Sequence, residues 1–212
     1  PVSYYGYEYE TVLINDECWF AENLRSENYR NSDAIPSSLS GSEWHDADYG
    51  GTTIYGEAQC GGLSDFSPDI DACDPAQTLD EYGRLYNWHA VDDPRRLCPS
   101  GWHVPTQEEW WVMENLLGGE PVAGVQMKTT YGWYTGGNGT NTSGFSGLPG
   151  GYRTLDGNMA EGGAYGYWWT STPLNSSYAF LRRLHHNSDV IWGGASDFRD
   201  GYSVRCIQDS EE

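Results

Sequence analysis

Two apolar runs, Thr11–Ile14 (TVLI) and Cys18–Ala21 (CWFA), flank the polar triplet Asn15, Asp16 and Glu17. β-Branched and aromatic residues on either side of a short polar turn predict a β-hairpin near the start of the chain. From Ser26 to about Asp80 the pattern is lost, and the segment is rich in Gly, Ser and Asp without periodicity. That is longer than an ordinary connection, so an ordered functional loop or a family-specific insertion is expected there. Periodicity returns after Pro105. Thr106 and Glu109 have the spacing of a capping box, Trp110, Met113 and Leu117 recur at helical intervals with Leu116 alongside, and Gly118-Gly119 supplies the stop. Gly132 to Gly151 reads as a run of glycine-rich turns. It lacks the GK[ST] signature of a phosphate loop.

The last forty residues change character. Tyr167–Thr170 (YWWT) is strand-like, and Tyr202–Ile207 (YSVRCI) predicts a closing strand. Between them, Asn175 to Asp200 mixes Phe, Arg, His, Asn, Asp and Trp with neither a helical nor a strict strand period. Such a mixture is unlike a core segment and suits a binding surface.

Composition narrows the class. The chain has 212 residues and a formal net charge of −20, which argues against nucleic acid as a partner, since a phosphate backbone would be repelled at long range. Acidity alone could signal disorder, but 10 Trp, 16 Tyr and 5 Phe can bury a large apolar area and point to a globular domain. No apolar run approaches the roughly 18 residues of a membrane-spanning helix. The absence of an initiator Met suggests that Pro1 marks a processed or trimmed terminus. No repeat or linker divides the chain, so residues 1–212 are read as one domain.

The five cysteines, Cys18, Cys60, Cys73, Cys98 and Cys206, include no CxxC pair, so neither a zinc ribbon nor a thioredoxin-type site is supported. Cys60 and Cys73 could close a Gly/Asp/Pro-rich loop, and Cys98 and Cys206 could join the middle of the chain to its end. The odd count leaves one thiol over. Disulfides, with sequons at Asn138, Asn141 and Asn175, suit an extracellular, cell-surface or virion setting. His45, His89, His103, His185 and His186 fit no metalloprotease spacing, and His103 reads as a packed, hydrogen-bonded structural residue. Acids cluster at Glu43, Asp46 and Asp48, and at Asp65, Asp69, Asp71 and Asp74. A structural calcium ion is possible there, although the EF-hand pattern is missing and a solvated loop is the simpler reading. No cofactor is otherwise implied.

Several strings match a known family in order: Cys18–Leu24 (CWFAENL), Tyr82–Trp88 (YGRLYNW), Cys98–Pro105 (CPSGWHVP), Glu109-Trp110, Gly144–Arg153 (GFSGLPGGYR), Tyr167–Thr172 (YWWTST) and Gly201–Cys206 (GYSVRC). Together they resemble the Fibrobacter succinogenes major paralogous domain. The resemblance implies an α+β, C-type-lectin-like fold of the formylglycine-generating branch, with few regular elements and long ordered loops. Members of that branch serve as variable proteins of diversity-generating retroelements, in which adenine-directed errors rewrite a C-terminal cassette. Here Trp169–Thr172 and Gly201–Arg205 look like fixed borders around a changeable segment at about 170–200. Phe180, Leu181, His185, His186, Asn187, Ser188, Asp189 and Val190 are all reachable from AAC codons by replacing adenines, whereas Trp192 is not.

The resemblance therefore implies a non-enzymatic receptor- or ligand-binding protein whose partner is a protein or glycan on another cell or surface. The expected contact residues are Asn175, Tyr178, Phe180, Arg183, His185, Asn187, Asp189, Trp192, Asp197 and Phe198, with Phe180, Tyr178 and Trp192 as the apolar anchors. An oxidase of the formylglycine-generating type would need a close cysteine pair, and Cys206 stands alone after Cys98. The alternative is an invariant carbohydrate-binding module in which Trp168, Trp169 or Tyr178 stacks on sugar rings. The calcium-dependent mannose motifs are absent, with Glu120-Pro121-Val122 in place of Glu-Pro-Asn.

Overall fold

A computed structural model describes residues 1–57 and 70–210. The chain begins with β1 (Val2–Tyr4), β2 (Tyr7–Tyr9), β3 (Thr11–Ile14) and β4 (Glu17–Phe20). It continues through α1 (Gly41–Asp46), β5 (Thr52–Ile54), α2 (Pro75–Tyr82), β6 (Arg84–Tyr86), α3 (Trp88–Val91) and β7 (Trp102–His103). Helices α4 (Gln107–Leu116) and α5 (Glu120–Met127) follow, then β8 (Tyr152–Arg153) and β9 (Met159–Ala160). The long strands come last: β10 (Tyr165–Pro173), β11 (Tyr178–His185) and β12 (Ile191–Asp197), closed by β13 (Ile207–Gln208). The architecture is α+β.

The expected hairpin forms, with Ile14 opposite Glu17 and Asn15-Asp16 as its turn. Asn15 takes a positive φ of 58°, which asparagine tolerates better than most side chains. The expected helix also forms. The Thr106 hydroxyl accepts from the Glu109 N–H while the Glu109 carboxylate accepts from the Thr106 N–H. Gly118 and Gly119 end the helix at φ 96° and 87°, and Leu116 lies exposed on its outer side.

Elsewhere the pattern misleads. The polar stretch from Ser26 to Asp80, in its described parts, holds α1, β5 and the start of α2, anchored by the fully buried Tyr29, Trp44 and Tyr55. Its acids cap helices rather than gather: Glu43 completes the capping box of α1, and Asp74 accepts from the N–H groups of Ala76 and Gln77 at the start of α2. Asp65, Asp69 and Cys60 lie outside the described residues. Among the described residues no group of three or more His, Cys, Asp or Glu side chains is placed to hold a metal. The expected closing strand is only two residues long. Tyr202 bridges to Tyr86, Ser203 to Trp168, and Ile207 pairs with both Trp19 and His103, so the segment changes partner every few residues and builds only a two-residue ladder at its end.

The largest departure is Asn175 to Asp200. It is the heart of a three-stranded antiparallel sheet, β10-β11-β12, rather than an irregular segment. One cluster of buried residues, including Trp110, Met113, Trp168, Leu184 and Ile191, packs on one face of it beneath α4 and α5. A second, including Trp88, Trp169, Ala179, Leu181 and Tyr202, packs on the other. Trp168 and Trp169 are both fully buried because consecutive strand residues point to opposite faces and both faces are covered there.

Cys98 and Cys206 are disulfide-bonded, as the spacing allowed, and Cys73 is disulfide-bonded as well. Cys18 is free and half-buried on β4. Beside the 98–206 bridge the tail is tied to the start of the chain by Phe20 N–H to Cys206 O and Leu24 N–H to Val204 O, each 2.9 Å.

Arg205 sits at the centre of this closure with no exposed surface. Its Nε donates to Asn23 Oδ1 at 2.7 Å, its Nη1 to the carbonyls of Phe20 and Phe145, and its Nη2 to that of Ser146. Asn23 Oδ1 also accepts from Trp168 Nε1 at 2.8 Å, and Asn23 Nδ2 donates to the Tyr82 carbonyl. Burial pushes the Arg205 pKa down, and the four acceptors offset that cost. Replacing Arg205 by Ala orphans these acceptors, so R205A is expected to lose about 3–5 kcal/mol in urea unfolding. R205K is expected to recover little of it, since an ammonium cannot reproduce the planar fork.

Candidate functional site

Strand periodicity sorts the side chains of the terminal sheet. On β11, Ala179, Leu181, Arg183 and His185 share one face, and Tyr178, Phe180, Arg182 and Leu184 the other. Arg182 and Arg183 thus have opposite fates. Arg182 is buried, ion-paired with Glu114 of α4 and hydrogen-bonded to Gln107 Oε1 at 2.7 Å. Arg183 is exposed, directly across from Trp192 of β12, with its guanidinium 5.4 Å from the centre of the indole ring.

On the Arg183 face the sheet is covered only at one end. The open end carries a continuous run of rings. His185 stacks on Tyr165 at 4.1 Å, Tyr165 on Tyr167 at 5.7 Å, and Tyr167 on Tyr202 at 5.0 Å, while Trp192 lies 6.3 Å from His185. Burial, reinforced by the neighbouring His186 and Arg183, holds the His185 pKa below its ordinary value, so its ring is neutral at pH 7. Beside these rings lies a hollow of about 370 Å³ lined by Tyr152, Glu161, Tyr167, Arg183, Ser196 and Tyr202, among others. Its polar groups are oriented by one another. Tyr167 donates to Glu161, and Tyr202 donates to Ser196 Oγ at 2.9 Å, which in turn donates to the buried Asp200. Burial raises the Asp200 pKa despite these hydrogen bonds.

The ten expected contact residues therefore separate. Arg183, His185 and Trp192 come together on the open face. Asn187 and Asp189 are exposed in the turn between β11 and β12. Tyr178, Asp197 and Phe198 line a different hollow, of about 530 Å³, with His45, His89 and Arg199. There both carboxylate oxygens of Asp197 already accept from one edge of the Arg199 guanidinium, and Phe198 stacks on Trp88 at 4.2 Å. Asn175 Oδ1 accepts from the N–H groups of Ser177 and Tyr178 and shapes the β10–β11 turn. Phe180 is half-buried on the side of Arg182, so Phe180 and Tyr178 do not share a surface with Trp192. The rings of Tyr152, Tyr165 and Tyr202, together with Glu161 and Ser196, lie outside the ten residues expected to make contacts. Their one available signal was the alternation of Tyr165 and Tyr167 along a strand.

Lys128 holds the tip of the hairpin from below. Its buried ammonium donates to the carbonyls of Gly137 (2.9 Å), Ser188 (3.0 Å) and His185 (3.3 Å), and burial lowers its pKa. Two further backbone links, Val125 N–H to Asp189 O and His186 N–H to Ala164 O, secure the same turn. On the hairpin side every one of these links is made by main-chain atoms, the oxygens of His185, Ser188 and Asp189 and the N–H of His186, indifferent to the side chains carried there.

His103 is structural, as expected. Its Nδ1 is 2.6 Å from Asp209 and its Nε2 2.8 Å from Glu109. Those hydrogen bonds, Glu109 first, raise its pKa above the ordinary 6.5. Burial works against the Glu109 carboxylate, but bonds from His103 and Thr106 outweigh it and hold the group below 4.5.

The Fibrobacter succinogenes major domain family matches residues 12–208, and the chain belongs to it. No curated protein matches the chain.

Two expectations follow. K128M should raise hydrogen exchange selectively at residues 186–190 and cost about 1–3 kcal/mol, since its three carbonyl acceptors lose their donor. The His103 link strengthens folding fully below pH 6.5 and fades as pH rises through the folded value. Its Glu109 partner contributes above pH 4.5 and fades as pH falls. The link is thus strongest between those limits. Urea midpoints should fall from about pH 6 to about pH 8 more steeply in the native protein than in H103Q.

Proposed function

We propose that this chain is a non-enzymatic display protein: a C-type-lectin-like scaffold carrying a diversified ligand-binding surface, as in variable proteins of diversity-generating retroelements. Its ligand is a protein or glycan presented on another cell or surface, and its setting is extracellular, cell-surface or virion. The observation that supports this reading is the division of labour within β11 and β12. Ala179, Leu181, Leu184 and Ile191 are buried and hold the hairpin, backbone acceptors fix its tip, and Arg183, His185, Asn187, Asp189 and Trp192 face outward. Side chains at those outward positions can change without loss of the contacts that fold the strand. A rigid platform also limits the ordering cost of binding.

The carbohydrate-module alternative loses two of its three stacking rings, because Trp168 and Trp169 are buried and only Tyr178 is exposed.

Sequencing of the codons for residues 167–207 across the source population tests the reading. Adenine-directed variation is expected at 183, 185, 187 and 189 and absent at 179, 184 and 191. Leu181, although reachable from an AAC codon, lies in the core and should vary only among apolar residues. An invariant segment, or variation at all bases alike, overturns it. In the folded protein, replacing Arg183, His185 and Trp192 together by Ala should cost less than about 1 kcal/mol. L184A alone should cost about 2–5 kcal/mol, through the cavity it leaves.

A further inference from the structure

Strand β12 is the edge of the terminal sheet, paired with β11 on one side alone. Helix α5 closes the start of its outer side, where Val125 N–H bonds Asp189 O. Beyond that point the edge opens. Gly193, Gly194 and Ala195 are exposed, and among the described residues no backbone group outside β11 bonds the main chain of residues 193–196. Alternate residues of such an edge turn N–H and C=O groups toward solvent, a template that only another extended backbone satisfies in full.

The hollow adjoins this stretch, and Gly193, Gly194, Ala195 and Ser196 form one of its walls. Gly194 sits on the Arg183 face between Trp192 and Ser196, and a Cβ built there meets nothing within 4 Å. The missing side chain leaves a passage from the edge to the Arg183 guanidinium. Arg183 has the Trp192 ring beside it and forms no ion pair with a described carboxylate, in a chain of net charge −20. An unpaired cation at the end of an open passage selects an anionic group.

We propose that the edge of β12 at Gly193–Ser196 binds an extended peptide segment of a partner protein by strand addition, with an acidic side chain of that segment passing over Gly194 to Arg183. The proposal rests on the sheet being the ligand surface but not on its being diversified. A second copy of this chain is the poorer occupant, since two surfaces of like net charge repel. Main-chain pairing would supply affinity common to many partners, and the hollow would supply the side-chain preference.

The test uses the whole protein and a capped decapeptide of alternating Thr and Val with one central Glu, followed by amide chemical shifts. A Gln version, a version N-methylated on alternate residues, and sialyllactose as an acidic sugar serve as companions. Expected are shifts at Gly193–Ser196 with the Glu peptide at millimolar concentration, about tenfold weaker binding of the Gln peptide or to R183Q, and none with the N-methylated peptide. G194L, whose side chain has room on the folded sheet, should keep its thermal midpoint and lose the Glu preference. Equal affinity for Glu and Gln peptides, or no shift with any peptide, overturns the proposal. So does sialyllactose binding without peptide binding, or an edge-to-edge dimer in sedimentation. The codon survey is unaffected by any of these outcomes, so loss of the peptide site would leave the display reading to stand or fall separately.

Discussion

The buried guanidinium of Arg205 is the constraint on which the rest of the structure turns. Through Asn23, Phe20, Phe145 and Ser146 it binds the N-terminal hairpin and the glycine-rich turns to the tail, and Asn23 extends the network to Trp168 and to the end of α2. A charge without solvent is tolerable only when its donors are met, so every contributing segment must arrive in one geometry. The disulfide from Cys98 to Cys206 fastens the adjacent residue of the same tail. Most regular elements in this chain are short, and a polar hub of this kind does the positioning that long helices do elsewhere.

With the tail fixed, the terminal sheet can be both core and surface. Its two faces pack against separate apolar clusters, and the Arg183 end of one face is left open. The period-two alternation of a strand then places a structural Arg182 and a free Arg183 one residue apart. Lys128 completes the arrangement by gripping main-chain oxygens at the hairpin tip. Anchoring through backbone and inward residues is the physical condition for a surface that can change its chemistry without refolding.

Local signals were legible where local forces decide. The hairpin at Thr11–Phe20 and the capped helix beginning at Gln107 are specified by turn and cap chemistry within a few residues. Helix α2, capped by Asp74 and ended by Gly83, begins inside the stretch expected to be a loop, because its apolar positions are too few to set a period. Asn175–Asp200 was not readable as strands. Its exposed positions carry His, Arg, Asn and Trp, its edge carries two glycines, and its buried Arg182 breaks the apolar alternation because Glu114, distant in sequence, neutralises it. The family strings quoted from the sequence fall largely on the buried scaffold: Asn23, Tyr82, Phe145, Trp168 and Arg205 belong to the same hub.

The acidic, aromatic-rich composition, the two local elements, the pairing available to Cys98 and Cys206, and membership of the family follow from the sequence alone. Those properties depend on residue identity and short-range spacing. Which tryptophans are buried, which of two adjacent arginines is free, and which of ten candidate residues share a face are settled by long-range packing. Each depends on what covers a given side of a strand, and that cover comes from segments tens of residues away.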